Sequence, residues 1–234
     1  MASPLTQVRR YDFALPADLI DALDDLAARA ASSRGTFWQP LKNSSSLIAR
    51  TAACLVKLLP DSDSLKGVEW WVRSRTAAIS MHLHFDRDES LARSTGKMRH
   101  PSFSSVLYLD DAGGPTLILD QTTCAGGTSL FPTRAERCIL SPPKRNSFLI
   151  FPGYLRHGVL ADPALAERNT PPRRTLLLNW WDEQPAAPSC AMPPQHLEQT
   201  HPPVLRDHHP RLVMLPIGAI ADLDHHQRAH PELN

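Results

Sequence analysis

The sequence has no long hydrophobic run, no paired-cysteine motif and no excess of either charge, and each absence removes a class of function. Its longest apolar stretches, such as Thr175 to Trp181, fall far short of the ~20 residues that a membrane-spanning helix needs. No apolar segment precedes the basic pair Arg9-Arg10, so no secretory leader is expected. With 25 basic against 24 acidic residues the net charge is +1, which gives no electrostatic footprint for nucleic acid or an anionic membrane surface. The four cysteines (Cys54, Cys124, Cys138, Cys190) are far apart, so neither a zinc ribbon nor a redox pair is predicted. Free thiols in the cytoplasm are the expectation.

What is present divides the chain into three. At 234 residues it can bury one sizeable core. Residues 1–66 read as N-terminal helical support. After Pro16, the residues Leu19, Ile20, Leu23, Leu26 and Ala27 recur at helical spacing, and a second stripe (Leu47, Ile48, Ala52, Leu55, Val56, Leu59) follows a serine cap. Residues 67–183 read as a β-rich core, with strands expected near 68–73, 77–85, 104–109, 116–120, 128–131, 137–140, 147–151, 158–161 and 174–181. Gly and Pro turns separate them. Residues 184–234 form a Pro/His-rich extension, of which only 211–220 is apolar enough to pack back as a strand. Helices gathered ahead of many short strands predict a mainly β protein, an antiparallel sandwich or barrel with helical support.

One constellation carries chemistry. In an extended run, residues i and i+2 share a face, so His84 and Asp86 can reach one point in space. An imidazole and a carboxylate make two legs of a facial triad, which suits iron(II) because three protein ligands leave positions open. His157, 71 residues beyond Asp86 at the start of an apolar run, supplies the third leg. His82 shares the same face, but the carboxylate of Asp86 makes the His84/Asp86 pair the better ligand set. Ahead of the strand at 174–181 stand Arg173 and Arg174. A guanidinium there can hold a carboxylate through its two-pronged fork. Arg174 shares a face with Leu176, Leu178 and Trp180, which favours it, and Arg173 remains the alternative.

Taken in order, His84-Phe85-Asp86, Tyr108-Leu109-Asp110, Gly113-Gly114, Pro142-Pro143, the strand Phe148-Leu149-Ile150-Phe151, His157-Gly158-Val159 and Arg174 give a pattern that resembles the iron(II)/2-oxoglutarate-dependent dioxygenases, nearest their prolyl-4-hydroxylase-like branch. The resemblance covers residues 68–181. It implies a double-stranded β-helix (jelly-roll) core with the N-terminal helices packed on it. It also implies iron(II) on His84, Asp86 and His157, and 2-oxoglutarate anchored by Arg174. Oxygen would be the oxidant and ascorbate a candidate reductant. Hydroxylation of a small-molecule, amino-acid or peptide substrate, with release of succinate and CO2, is the implied reaction. The pattern departs from the family in the insert at 162–172, which lengthens the gap between His157 and Arg174. The alternatives are a cupin-like oxygenase without 2-oxoglutarate and a binding module without turnover. The loop 87–101, with Arg87, Arg93, Lys97 and Arg99, reads as a candidate lid whose charge suits an anionic substrate. Glu69, Trp70, Trp71, Arg73 and Arg75 read as residues that could shape a substrate pocket.

Overall fold

The structure, a computed structural model, describes residues 3–30, 35–42, 45–75, 80–124, 129–161, 171–186 and 208–219. Its strands are β1 (Arg9–Asp12), β2 (Phe37–Pro40), β3 (Gly67–Arg75), β4 (Met81–His84), β5 (Phe103–Tyr108), β6 (Thr116–Leu119), β7 (Thr122–Thr123), β8 (Leu130–Phe131), β9 (Arg137–Ser141), β10 (Ser147–Pro152), β11 (His157–Val159), β12 (Arg173–Trp181), β13 (Arg211–Val213) and β14 (Ile217–Ala219). The helices are α1 (Ala17–Ala30), α2 (Leu47–Leu55) and α3 (Glu89–Thr95).

Two antiparallel sheets, β13-β1-β10-β5-β12-β3-β2 and β14-β9-β6-β11-β4, form the jelly roll, and β7 and β8 make a separate ribbon. The larger sheet is buried on both faces, and its strands sort their side chains by parity. Leu176, Leu178 and Trp180 of β12, with Val68 and Trp70 of β3, pack with Leu19, Leu23 and Leu26 of α1 and Leu47, Ala52 and Leu55 of α2. Val106 and Tyr108 of β5, with Leu149 and Phe151 of β10, point the other way, toward Ile118 and Ile139 of the smaller sheet. The helical stripes form as expected: Ser46 Oγ caps α2 by accepting from Ala49 N at 3.1 Å.

The terminal segments contribute strands to the sandwich. From residues 1–66, β1 pairs with β10 and β2 with β3. From the C-terminal extension, β13 adds to β1 and β14 to β9. Residues 9–12 do not read as a strand in sequence because Arg9, Arg10 and Asp12 make them polar. Tertiary contacts supply the partners: Arg10 Nε meets Asp12 Oδ1 at 3.2 Å, and Arg10 also donates to Ser141, Pro142 O and Ser147. Among the described residues, no helix is long and apolar enough to cross a membrane.

Candidate active site

Strands β4 and β11 run antiparallel at the edge of the smaller sheet, and their register sets His157 directly opposite His84. The two rings lie 4.4 Å apart, centroid to centroid. Asp86 follows β4 by two residues and keeps the side that His84 faces. Its Oδ1 is 3.8 Å from His84 Nε2 and its Oδ2 is 3.5 Å from His157 Nε2. One ligand atom from each of the three residues lies within 4.8 Å of the others. The spacing suits atoms that surround a shared ion.

The supporting contacts fix which atoms face that point. His84 Nδ1 lies 3.0 Å from the His82 carbonyl and His157 Nδ1 lies 2.9 Å from the Leu155 carbonyl. A carbonyl can only accept, so each ring carries its proton on Nδ1 and turns the Nε2 lone pair inward. Burial, followed by the neighbouring His157 ring, pushes the pKa of His84 below the ordinary imidazole value, which favours the neutral, metal-binding form. Ser104 donates to Asp86 Oδ2 at 2.7 Å, and the Phe151 ring packs edge-on against His157 at 4.7 Å. Two imidazoles that turn Nε2 inward and a carboxylate, with an open side, make a donor set that suits a non-haem iron(II) ion.

The triad opens into a cavity with about 830 Å³ of empty space, its mouth included. Here the structure corrects one expectation. Arg173, not Arg174, lines the cavity. Arg174 shares its face with Leu176, Leu178 and Trp180, as the parity argument required, but that face meets the helices. There its Nε pairs with Asp110 at 3.1 Å and its Nη1 with Asp24 of α1 at 3.3 Å. The physical reason is that β12 is covered on both sides. Its more apolar stripe, Leu176, Leu178 and Trp180 with Arg174 at one end, goes to the helical layer, while the mixed stripe Arg173, Thr175, Leu177 and Asn179 faces the site.

Arg173 is buried, with 8% of its surface exposed. It donates from Nη2 to Thr116 Oγ1 at 3.0 Å, and its Cζ sits 5.3 Å from the centroid of the Tyr108 ring. The Tyr108 hydroxyl donates to Thr116 Oγ1 at 2.8 Å. The Nε of Arg173 is buried without any hydrogen-bond partner. An unpaired buried guanidinium nitrogen is costly unless an anion completes it, so this side of the cavity fits a carboxylate. Thr116 lies opposite Val159, two residues along β11 from His157. Two residues of a strand span about 7 Å, a distance that a five-carbon dicarboxylate bridges. In the sequence Tyr108 is legible only as a strand residue, and nothing local marks Thr116 or Ser104. Their signal is cross-strand register, which depends on pairing partners.

The loop 87–101 is not a row of free cations. It contains α3, capped by Asp88, whose Oδ2 also receives Arg99 at 2.9 Å and the amide of Ala186 at 2.8 Å. Arg99 reaches Glu183 at 2.9 Å and Arg87 reaches Glu89 at 2.9 Å. None of the loop's four basic residues lines the cavity; Arg73 and Arg75 of β3 do, beside Trp71 and Met81.

No protein-family model matches the sequence, and no curated protein matches it. Solved structures do match its shape. The non-haem α-ketoglutarate-dependent epimerase SnoN from nogalamycin biosynthesis aligns with a TM-score of 0.51 at 11% identity, over 80% of this chain and 91% of that one. EctD from S. alaskensis in its apoform aligns with a TM-score of 0.51 at 16% identity, over 86% of this chain and 82% of that one. The chain has the fold of the iron(II)/2-oxoglutarate oxygenases. Within that jelly-roll fold, the His84, Asp86 and His157 cluster lies on a cavity lined by residues of both sheets.

Proposed function

We propose that the protein is a non-haem iron(II) oxygenase that uses 2-oxoglutarate and hydroxylates a small-molecule, amino-acid or peptide substrate, releasing succinate and CO2. The observation that carries this reading is a coincidence in one cavity: a three-ligand cluster with an open side and, across from it, a buried guanidinium with an unpaired Nε.

His84, Asp86 and His157 would hold the metal, which when bound supplies oxygen activation coupled to oxidative decarboxylation of the 2-oxo acid. The chain's own work is placement. The carbonyls of His82 and Leu155 lock both imidazoles in the tautomer that offers Nε2. Ser104 holds the Asp86 carboxylate in place from the floor of the larger sheet. Arg173, stacked on Tyr108 and steadied by Thr116, receives the distal carboxylate of 2-oxoglutarate. Phe151 and Val159 give the site apolar walls, which limit water and strengthen each charge interaction inside.

An anaerobic titration tests the reading. Iron(II)-loaded protein is expected to bind 2-oxoglutarate saturably, and oxygen is then expected to yield succinate, faster with substrate present. Oxygen-dependent product formation from a substrate without succinate would point to an oxygenase independent of 2-oxoglutarate. Failure to bind 2-oxoglutarate at all would sink the proposal.

A further inference from the structure

The cavity holds more positive charge than the co-substrate reading uses. Its lining contains the three guanidiniums of Arg73, Arg75 and Arg173, and one carboxylate, Asp86. An iron(II) ion and a 2-oxoglutarate dianion cancel each other, and Asp86 offsets one guanidinium, so two positive charges remain. The arrangement concentrates them. Arg75 stands directly opposite Arg173 in the β3–β12 ladder, and Arg73 stands opposite Thr175, one step nearer the metal cluster on the same face. Like charges set directly across a ladder repel. Other arginines of the fold have acids beside them: Arg174 has Asp110 and Asp24, Arg145 has Asp21 and Asp24, Arg99 has Asp88 and Glu183, and Arg10 has Asp12. Among the described residues, Arg73 and Arg75 have no ion pair and no hydrogen bond. Glu69, on the same face of β3, takes a hydrogen bond from Thr36 instead.

Both arginines are exposed to solvent, and both line the cavity. They sit on the β3 side of the cavity, Arg75 beside Arg173 and Arg73 farther along the strand from that anchor. Trp71 precedes Arg73 on the same face and, with Met81 of β4, gives this side an apolar wall next to His84. Burial, and after it the field of Arg75, holds the pKa of Arg73 below the usual guanidinium value, a sign that the two cations feel each other. We infer that the hydroxylated substrate is a small organic anion, a carboxylate or phosphate monoester, whose head group is held by Arg73 and Arg75 and whose apolar body lies against Trp71 and Met81. The inference rests on the oxygenase reading above and names its substrate class.

The test compares charged probes with neutral partners of the same shape on manganese(II)-loaded protein saturated with 2-oxoglutarate. The probes are 3-phenylpropanoate against its primary amide, and phenethyl phosphate against phenethyl alcohol. Binding is read by calorimetry. At least one anion is expected to bind about tenfold or more tightly than its neutral partner, and the arm that does so identifies the head group. In R73Q/R75Q the preference is expected to fall to within about twofold, while 2-oxoglutarate affinity stays within about tenfold of the parent, against the ~100-fold loss expected of R173Q. No preference in either arm overturns the inference, as does a preference that survives in R73Q/R75Q. It is also overturned if R73Q/R75Q loses 2-oxoglutarate as R173Q does, since the pair would then serve the co-substrate. The wild-type comparison decides the matter even if the double variant folds poorly. If 2-oxoglutarate fails to bind the wild type while the anion preference is present and depends on Arg73 and Arg75, the oxygenase reading falls and the anion site stands.

Discussion

Arg173 and Arg174 are adjacent in β12 and point to opposite faces of the larger sheet, one into the cavity and the other onto Asp110 and Asp24. The pair therefore separates two roles that a single arginine would confound. R173Q removes a buried, charge-assisted contact, worth roughly 2–3 kcal/mol, and the dissociation constant for 2-oxoglutarate is expected to rise about 100-fold. R174Q is expected to leave that constant within about twofold and to lower stability by at most ~1 kcal/mol, because its ion pairs are partly exposed. Calorimetric titration and thermal melts of the two variants check both halves. Loss of 2-oxoglutarate binding in R174Q alone would reverse the assignment.

Metal binding is expected to depend on Asp86 and, through it, on Ser104. D86A leaves two imidazoles and should abolish measurable iron(II) or cobalt(II) binding. S104A keeps every ligand but frees the Asp86 carboxylate from its 2.7 Å hydrogen bond, and a loss of about 10- to 100-fold in metal affinity is expected. Cobalt(II) absorption titrations measure both. Unchanged affinity in S104A would mean that the serine does not position the ligand.

The Gly113-Gly114 turn has two separable consequences. A Cβ on Gly114 would come within 1.8 Å of the Leu160 carbonyl oxygen, a backbone atom with little freedom to move. G114A is expected to cost about 3 kcal/mol and to lower Tm by roughly 6–12 °C. Gly113, at φ +90°, faces the Arg173 stem instead, where a Cβ would meet the Arg173 Cβ at 2.7 Å. G113A is therefore expected to weaken 2-oxoglutarate binding by about 10- to 100-fold through a displaced anchor. A melt and a titration on each variant separate the two effects.

Acid stability is expected to fall in part through Asp12. Burial pushes its carboxyl up, but hydrogen bonds from Lys144, Ser147 and Arg10 outweigh that and leave it below its ordinary value of 3.8. A carboxylate depressed in the native state stabilises the fold fully above its unfolded pKa and loses that contribution as pH falls through its native pKa. D12N is thus expected to be less stable than the parent by about 1–3 kcal/mol near neutral pH. The gap should close as pH drops below 3.8. Denaturant melts across that range test the sign, and a gap that widens in acid would contradict it.

Much of this was legible because it is local. The stripes of α1 and α2 follow a 3.6-residue period, and most core strands lie between Gly and Pro turns. His84 and Asp86 sit two residues apart, a spacing that one strand converts directly into a shared face. The Gly113-Gly114 pair could be seen as a turn, but the sequence held no trace of the Leu160 carbonyl and Arg173 stem that require it. Residues 9–12 look polar until Ser141, Ser147 and Lys144, more than a hundred positions away, close around them.

Periodicity and spacing by themselves determined the helical layer, most of the β core and the shared face of His84 and Asp86, since those depend on neighbours along the chain. Only the tertiary structure decided which face of β12 is the inside. Parity groups Arg174 with Leu176, Leu178 and Trp180, but a strand covered on both faces has two insides. The packing of α1 and α2 takes the apolar one and leaves Arg173 to the site. The same decision turned Arg73 and Arg75 toward the cavity, because register with β12 fixes the face of β3 and register exists only once the strands have paired.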